Sequence, residues 1–273
     1  MGGFHARSDG NGRGLWFAIL GIAGLLGVLL LLGCSDDLPR RGPGPVGPVG
    51  PVVDESGIPG SGIVVSEPRS VSGVDAVAFA TEGFVIIAVG GSETLSVEAD
   101  DNLQQYLEVS VVDGLLTIAT REGIDIVPSE PPVFHVEVED LTAVGLMGAG
   151  TIAVDLIDAE RFEIDLGGVG DITIGSVTVD ELVADLTGVG TVTLAGNAGR
   201  QDLFVGGVTV YEGRDVASRV TAIEAGGSGR ATVWVLESLD VTASGTASVE
   251  YYGTPSLSER LSASATVASL GAK

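Results

Sequence analysis

The chain has 273 residues, 42 of them glycine, and carries 13 Lys and Arg against 37 Asp and Glu, a net charge of −24. So acidic a chain lacks the basic footprint that nucleic acids and polyanionic substrates require; its charge favours solubility and the attraction of cations. A single cysteine excludes an intrachain disulfide or a multi-cysteine zinc site, so the core must be held by packing.

The N-terminus reads as a secretory signal. Arg7 and Arg13 form a positive flank, an apolar run extends from Leu15 to Leu32, and the run ends at Leu31-Leu32-Gly33-Cys34. In a lipobox a small residue precedes the cysteine, and the thiol then carries the lipid; residues 1–33 are therefore expected to be a lipoprotein signal peptide and Cys34 the lipidated residue. The competing reading is an uncleaved transmembrane helix, since 18 residues lies within the spanning range of ~17–25. Both readings place the rest of the chain outside the cytoplasm. Removing residues 1–33 takes away Arg7, Arg13 and Asp9 and leaves 11 basic against 36 acidic residues. Residues 34–62 form the expected tether, in which RRGPGPVGPVGP (40–51) has too few triplets for collagen and suits extended polyproline II.

Short alternating runs follow: Val74–Phe79, Phe84–Val89, Leu95–Val97, Leu107–Val111 and Leu115–Ile118. Gly90-Gly91 and Asp113-Gly114 punctuate them as hairpin-like turns. This stretch is expected to be an irregular part of one continuous domain over residues 63–270.

From residue 141 the chain repeats itself. LTAVGLMGAGTIAVDLIDAE (141–160), RFEIDLGGVGDITIGSVTVD (161–180) and ELVADLTGVGTVTLAGNAGR (181–200) align, and degenerate copies follow. The repeat places Gly148, Gly168, Gly188, Gly207, Gly227 and Gly245 in one column, with Ala265 expected in a seventh turn. Apolar residues alternate on both sides, as in Ile164/Leu166 before Gly168 and Ile172/Ile174 after it, a two-residue period that belongs to strands. A unit this short cannot bury its own apolar face, so the copies must stack in parallel. The expected fold is an all-β, parallel β-solenoid with coils of about 20 residues and right-handed winding. In each coil, strand, glycine corner, strand and polar return are expected to follow one another.

The segment SGVDAVAFATEGFVIIAVGGSETLSVEADDNLQQYLEVSVVDGLLTIAT (72–120), followed by Gly-x-Gly coils, resembles the head GIN domain family of adhesin-like bacterial lipoproteins. VEADDNLQQYLEVSVVDGLLTI is its most specific part, and the resemblance covers roughly residues 63–270. It departs from the family at SASAT (262–266), where Gly-Ser-Gly is usual. The resemblance implies a β-helical surface lipoprotein of the cell envelope and brings no catalytic residues with it.

Three columns carry candidate chemistry. Asp165, Asp185 and Glu224 stand three places before the corner glycine, with Phe204 interrupting; carboxylates on adjacent coils repel, and a bound Ca²⁺ would relieve this. The alternative is a solvated acidic face that discourages edge pairing. Arg161, Glu181 and Arg200 alternate in sign and are expected to pair across coils. Arg214, Trp234 and Tyr252 lie seven places after the glycine, and an arginine beside two rings on a rigid face suits stacking on a sugar or docking of a protein. The alternative is that they only cover the sheet at a corner. His135, in the alternating run Val133–Val138, is expected to face solvent or a strand neighbour.

The expected function is non-enzymatic: a lipid-anchored envelope protein that presents its solenoid to a glycan or an envelope protein. The alternatives are a carbohydrate-active enzyme working through surface carboxylates and a purely structural or stress-linked envelope module.

Overall fold

The computed structural model describes residues 57–273. The expected signal peptide, Cys34 and most of the tether lie outside the described residues. Among the described residues no helix is long and apolar enough to cross a membrane.

The fold is an all-β solenoid entered through a set of shorter strands. These are β1 (Ile58–Pro59), β2 (Val64–Arg69), β3 (Ala76–Ala80), β4 (Glu82–Val89), β5 (Thr94–Asp100), β6 (Leu107–Val112), β7 (Leu115–Thr120), β8 (Ile126–Val127), β9 (Val133–Val138) and β10 (Ala143–Leu146). The coils follow as β11 (Ala149–Leu166), β12 (Val169–Leu186), β13 (Val189–Val205), β14 (Val208–Ala225) and β15 (Arg230–Ala243), then β16 (Ser248–Tyr252), β17 (Ser256–Leu261) and β18 (Thr266–Gly271). From β10 onwards each pairs in parallel with its equivalent in the next coil, as Ile152 with Ile172 and Ile172 with Val192.

The inward pairs expected from alternation, from Val144/Leu146 to Ala231/Val233, are buried; Tyr251, next to buried Val249, is half-buried. Burial of each large aliphatic side chain contributes roughly 1.5–3 kcal/mol. The polar return differs from expectation. β11, β12 and β14 run unbroken through it, and Ile157, Val177 and Val216 on that stretch are buried. The return is thus a further sheet face with its own inward layer, and only its outward positions are polar. In β14 the large Tyr211 fills the interior where Gly213 leaves room: a Cβ at Gly213 would lie 2.4 Å from the ring. The buried Tyr211 hydroxyl donates to Gln201 Oε1 at 2.6 Å.

The corner glycines serve two purposes. At Gly168 and Gly188 a Cβ would sit 2.1 Å from the carbonyl oxygen of the preceding coil's glycine, so close approach of the coils demands glycine there. At Gly207, Gly227 and Gly245 the backbone itself is left-handed, with φ between 53° and 71°. The seventh member of the column is Ala263 rather than Ala265, because Ala243 pairs with Leu261 two residues before the corner. Ala263 holds φ 60°, a conformation that L-residues adopt at a cost of roughly 1–2 kcal/mol. Ala263→Gly is expected to stabilise the fold by about 1 kcal/mol, read as a raised urea midpoint.

Residues 57–140 are not simply an irregular solenoid. β3 and β4 form one true coil, in parallel register with β10 and β11. Around it lie antiparallel strands: β6 with β7 across the left-handed Asp113-Gly114 turn, and β5 between β2 and β9. Gly90-Gly91 is not a hairpin turn, since β4 and β5 each pair with β9 instead of with each other. The family-like segment is structural. The buried Asp100 carboxylate accepts from Gly62 N at 2.7 Å, Ser129 N at 2.8 Å and Ser129 Oγ at 2.6 Å, and the Ser129 hydroxyl is the main cause of its lowered pKa. Gln104 Nε2 donates to the Val65 and Val97 carbonyls at 3.0 and 2.8 Å, fastening β2 to β5.

Candidate functional site

The best-formed site lies on the return face of the last coils. β14 keeps its ladder with β13 through Asp215, Val216 and Ala217, but its ladder with β15 jumps from Gly213/Val233 to Ala217/Trp234. Residues 214–216 therefore have no counterpart on β15 and form a ledge beside the Trp234 ring. Trp234 in turn pairs with Tyr252 on β16. Arg214, Trp234 and Tyr252 are brought to one flank, as their shared repeat position predicts, although Arg214 is displaced from the ladder by the bulge.

Arg214 is exposed and donates to Glu212 Oε2 from Nε at 3.0 Å and from Nη2 at 2.5 Å. That hydrogen bond raises its pKa, with smaller contributions from the Tyr252 hydroxyl and Asp215, so the guanidinium stays charged. Both rings are half-buried.

Two further residues complete the site. Lys273, the chain's single lysine, places its Nζ 4.9 Å from the Trp234 ring centroid and 5.6 Å from that of Tyr252. The same ammonium donates to Asp215 Oδ1 at 2.5 Å and to the Arg214 carbonyl. Sequence reasoning missed both. The signals available were the carboxylate adjoining Arg214 and the uniqueness of the lysine, but no periodicity links residue 273 to residue 215.

The acidic column is in register as expected: Asp165 faces Asp185, Asp185 faces Phe204 and Phe204 faces Glu224. Phe204 separates Glu224 from the other two, so the three carboxylates do not converge. Among the described residues no group of three His, Cys, Asp or Glu side chains is placed to hold a metal ion. Asp165 is half-buried; that burial, then the charges of Asp185 and Glu163, raise its pKa to about 6.

In the charge ladder, Arg161 pairs with Glu181 across coils and with Glu163 along its strand at 2.7 Å. Arg200 instead forks onto Asp202 of its own strand, both bonds being 2.6 Å. His135 is exposed, its Nε2 3.7 Å from Glu98 Oε1. A ridge that the sequence reading passed over runs along the corner, where Val169, Val189 and Val208 are exposed in adjacent coils; it follows from the position after the corner glycine. Two open grooves, of about 520 and 390 Å³, are each lined by a single carboxylate, Glu82 and Asp240.

The stacked parallel coils define an all-β solenoid with its distinctive side chains on one flank. The chain belongs to the head GIN domain family: the family model described as "Putative auto-transporter adhesin, head GIN domain" matches residues 75–255. Solved structures of the same fold include a "putative adhesin" from Bacteroides fragilis NCTC 9343, at 23% identity, with a TM-score of 0.74 over 78% of this chain and 100% of that one. A second, from Parabacteroides merdae ATCC 43184 and described in the same words, has 17% identity and a TM-score of 0.63 over 78% and 98% of the two chains. A third, described as a "putative lipid binding protein" from Parabacteroides distasonis ATCC 8503, has 20% identity and a TM-score of 0.62 over 78% and 99%. No curated protein matches the chain by sequence.

Proposed function

We propose that the chain is a non-enzymatic envelope lipoprotein, anchored through Cys34, whose acidic solenoid is displayed for adhesion. Its contact surface is the Arg214–Trp234–Tyr252 flank, and its partner a glycan or an envelope protein. The observation that carries this reading is the convergence of an exposed, charged arginine and two half-buried rings on one rigid β face. Such residues dominate recognition because a ring offers much contact area at little entropic cost. Membership of an adhesin-described family points the same way.

The Leu15–Leu32 run ending at Gly33-Cys34 supports the anchor. A tether at ~3.1 Å per residue would hold the domain several tens of ångströms from the bilayer. Glycoside hydrolysis needs two carboxylates at a defined separation, whereas each groove offers one. The test is a binding screen on glycans and purified envelope proteins, with the native chain beside Trp234→Ala. Binding that ignored the substitution would move the contact surface elsewhere.

A further inference from the structure

We infer that Trp234, Tyr252 and Asp215 form an ammonium cage, that Lys273 occupies it from within the chain, and that a lysine of a protein partner takes it by displacing Lys273. This rests on the recognition reading above and names the chemistry of the partner.

The cage combines one regular ladder pair with two departures from the repeat. The bulge at residues 214–216 lifts Asp215 beside the Trp234 ring. The ladder then sets Trp234 opposite Tyr252 on the next coil, and one ammonium lies over both rings. Lastly, the register of β18 slips between Tyr251 and Tyr252, so that Ser269 faces Tyr251 but Gly271 faces Tyr252. Gly271 is left-handed at φ 92° and accepts from Gly253 N at 2.9 Å. Beyond β18 the Lys273 side chain reaches across Tyr252 of β16 and Trp234 of β15 to Arg214 and Asp215 of β14.

The occupant shows what the cage selects. A ring face attracts any cation, methylated or not. The Asp215 carboxylate and the Arg214 carbonyl, however, accept N–H donors from the same nitrogen. A primary ammonium satisfies both, and a quaternary one satisfies neither. The fixed cation Arg214 is turned aside by its bonds to Glu212, so it does not fill the cage itself. The chain's net charge of −24 attracts basic protein surfaces to the chain, and Asp215 supplies the local acceptor for their ammonium groups. Because Lys273 already sits in the cage, a partner must compete with it, and removal of its side chain raises the partner's apparent affinity.

The test uses the lipid-anchored chain in detergent, in which Trp234 is the only tryptophan once residues 1–33 are removed; Trp16→Phe gives the same in a chain that keeps them. Trp234 fluorescence is titrated with Nα-acetyl-lysine amide, its trimethylated form and Nα-acetyl-norleucine amide, in native and Lys273→Ala backgrounds. Lysine amide should give a saturable change in Lys273→Ala and bind at least about tenfold more weakly in the native background. Asp215→Asn should weaken it further, trimethyl-lysine amide should bind several-fold less well, and norleucine amide should not respond. Unaltered far-UV circular dichroism secures the fold of each variant. No saturable response in Lys273→Ala, equal affinity in both backgrounds, or equal responses to lysine and trimethyl-lysine would each overturn the cage. Loss of partner binding in Trp234→Ala beside a silent titration would discard the cage and leave the recognition reading intact.

Discussion

Replacing Gly190 with alanine is expected to cost at least about 4 kcal/mol and to open the solenoid at that coil. A Cβ there would stand 1.7 Å from the Gly170 carbonyl oxygen and 2.7 Å from its carbonyl carbon, and the backbone holds φ 148°. Both obstacles are backbone, fixed by the ladder that pairs Gly170 with Gly190, so no side chain can swing aside. The matched control is Gly73→Ala, where φ is 69° but nothing lies within 4 Å of the new atom. There only the conformational cost of about 1–2 kcal/mol applies. Urea denaturation followed by circular dichroism measures the difference, with limited proteolysis to show where the chain opens. Equal losses in the two variants would mean that coil stacking tolerates more separation than the structure shows.

The second large effect is electrostatic. Asp165 has its pKa raised from 3.8 to about 6, first by burial and then by Asp185 and Glu163. Between those values the folded chain holds a proton on Asp165 that the unfolded chain does not, so the contribution of Asp165 to stability is greatest below pH 3.8, falls as pH rises to about 6 and is constant above it. A shift of this size corresponds to about 3 kcal/mol at most, and partial exposure reduces it to about 2 kcal/mol. Asp165→Asn should therefore be more stable than the native chain by about 2 kcal/mol above pH 7 and equal to it below pH 4. The difference between the two urea midpoints, followed against pH, isolates this group from the other carboxylates. A flat difference would show that Asp165 is solvated like an ordinary surface carboxylate.

Much of this molecule is legible in its sequence because a solenoid turns spatial neighbours into equal offsets. Counting from one glycine to the next placed Asp165 beside Asp185, Arg161 beside Glu181 and Trp234 beside Tyr252, each of which is a ladder pair. The same counting failed where the repeat is broken. Ala265 was expected at the corner that Ala263 occupies, since the shortened coil shifts the frame. Arg214 was expected in ladder register with Trp234, but the bulge puts Ala217 there.

The return looks polar in the sequence because its outward residues conceal Ile157, Val177 and Val216 between them. Alternation had been counted only next to the glycine. The hairpin at Gly90-Gly91 was misread because antiparallel pairing depends on which distant strand lies alongside, and here that strand is β9. Lys273 was beyond reach for the same reason. Its position depends on a register slip and a left-handed Gly271, neither of which leaves a periodic trace.

The columns differ in what the fold makes of them. Asp165 and Asp185 share a ladder, but Phe204 stands between them and Glu224, so the three carboxylates do not converge. The aromatic column gains from irregularity: the missing counterpart on β15 leaves room for a side chain, and Lys273 is in it.

The proposed function makes this flank the place where the solenoid meets its partner. The most direct measurement is the affinity of the purified chain for the glycan or envelope protein that it binds best, native beside Trp234→Ala. Loss of an aromatic hot spot should weaken binding about 30-fold, equivalent to roughly 2 kcal/mol, with no change in the urea midpoint beyond a few tenths of a molar. Affinity unchanged by the substitution in a chain that remains folded would contradict the account.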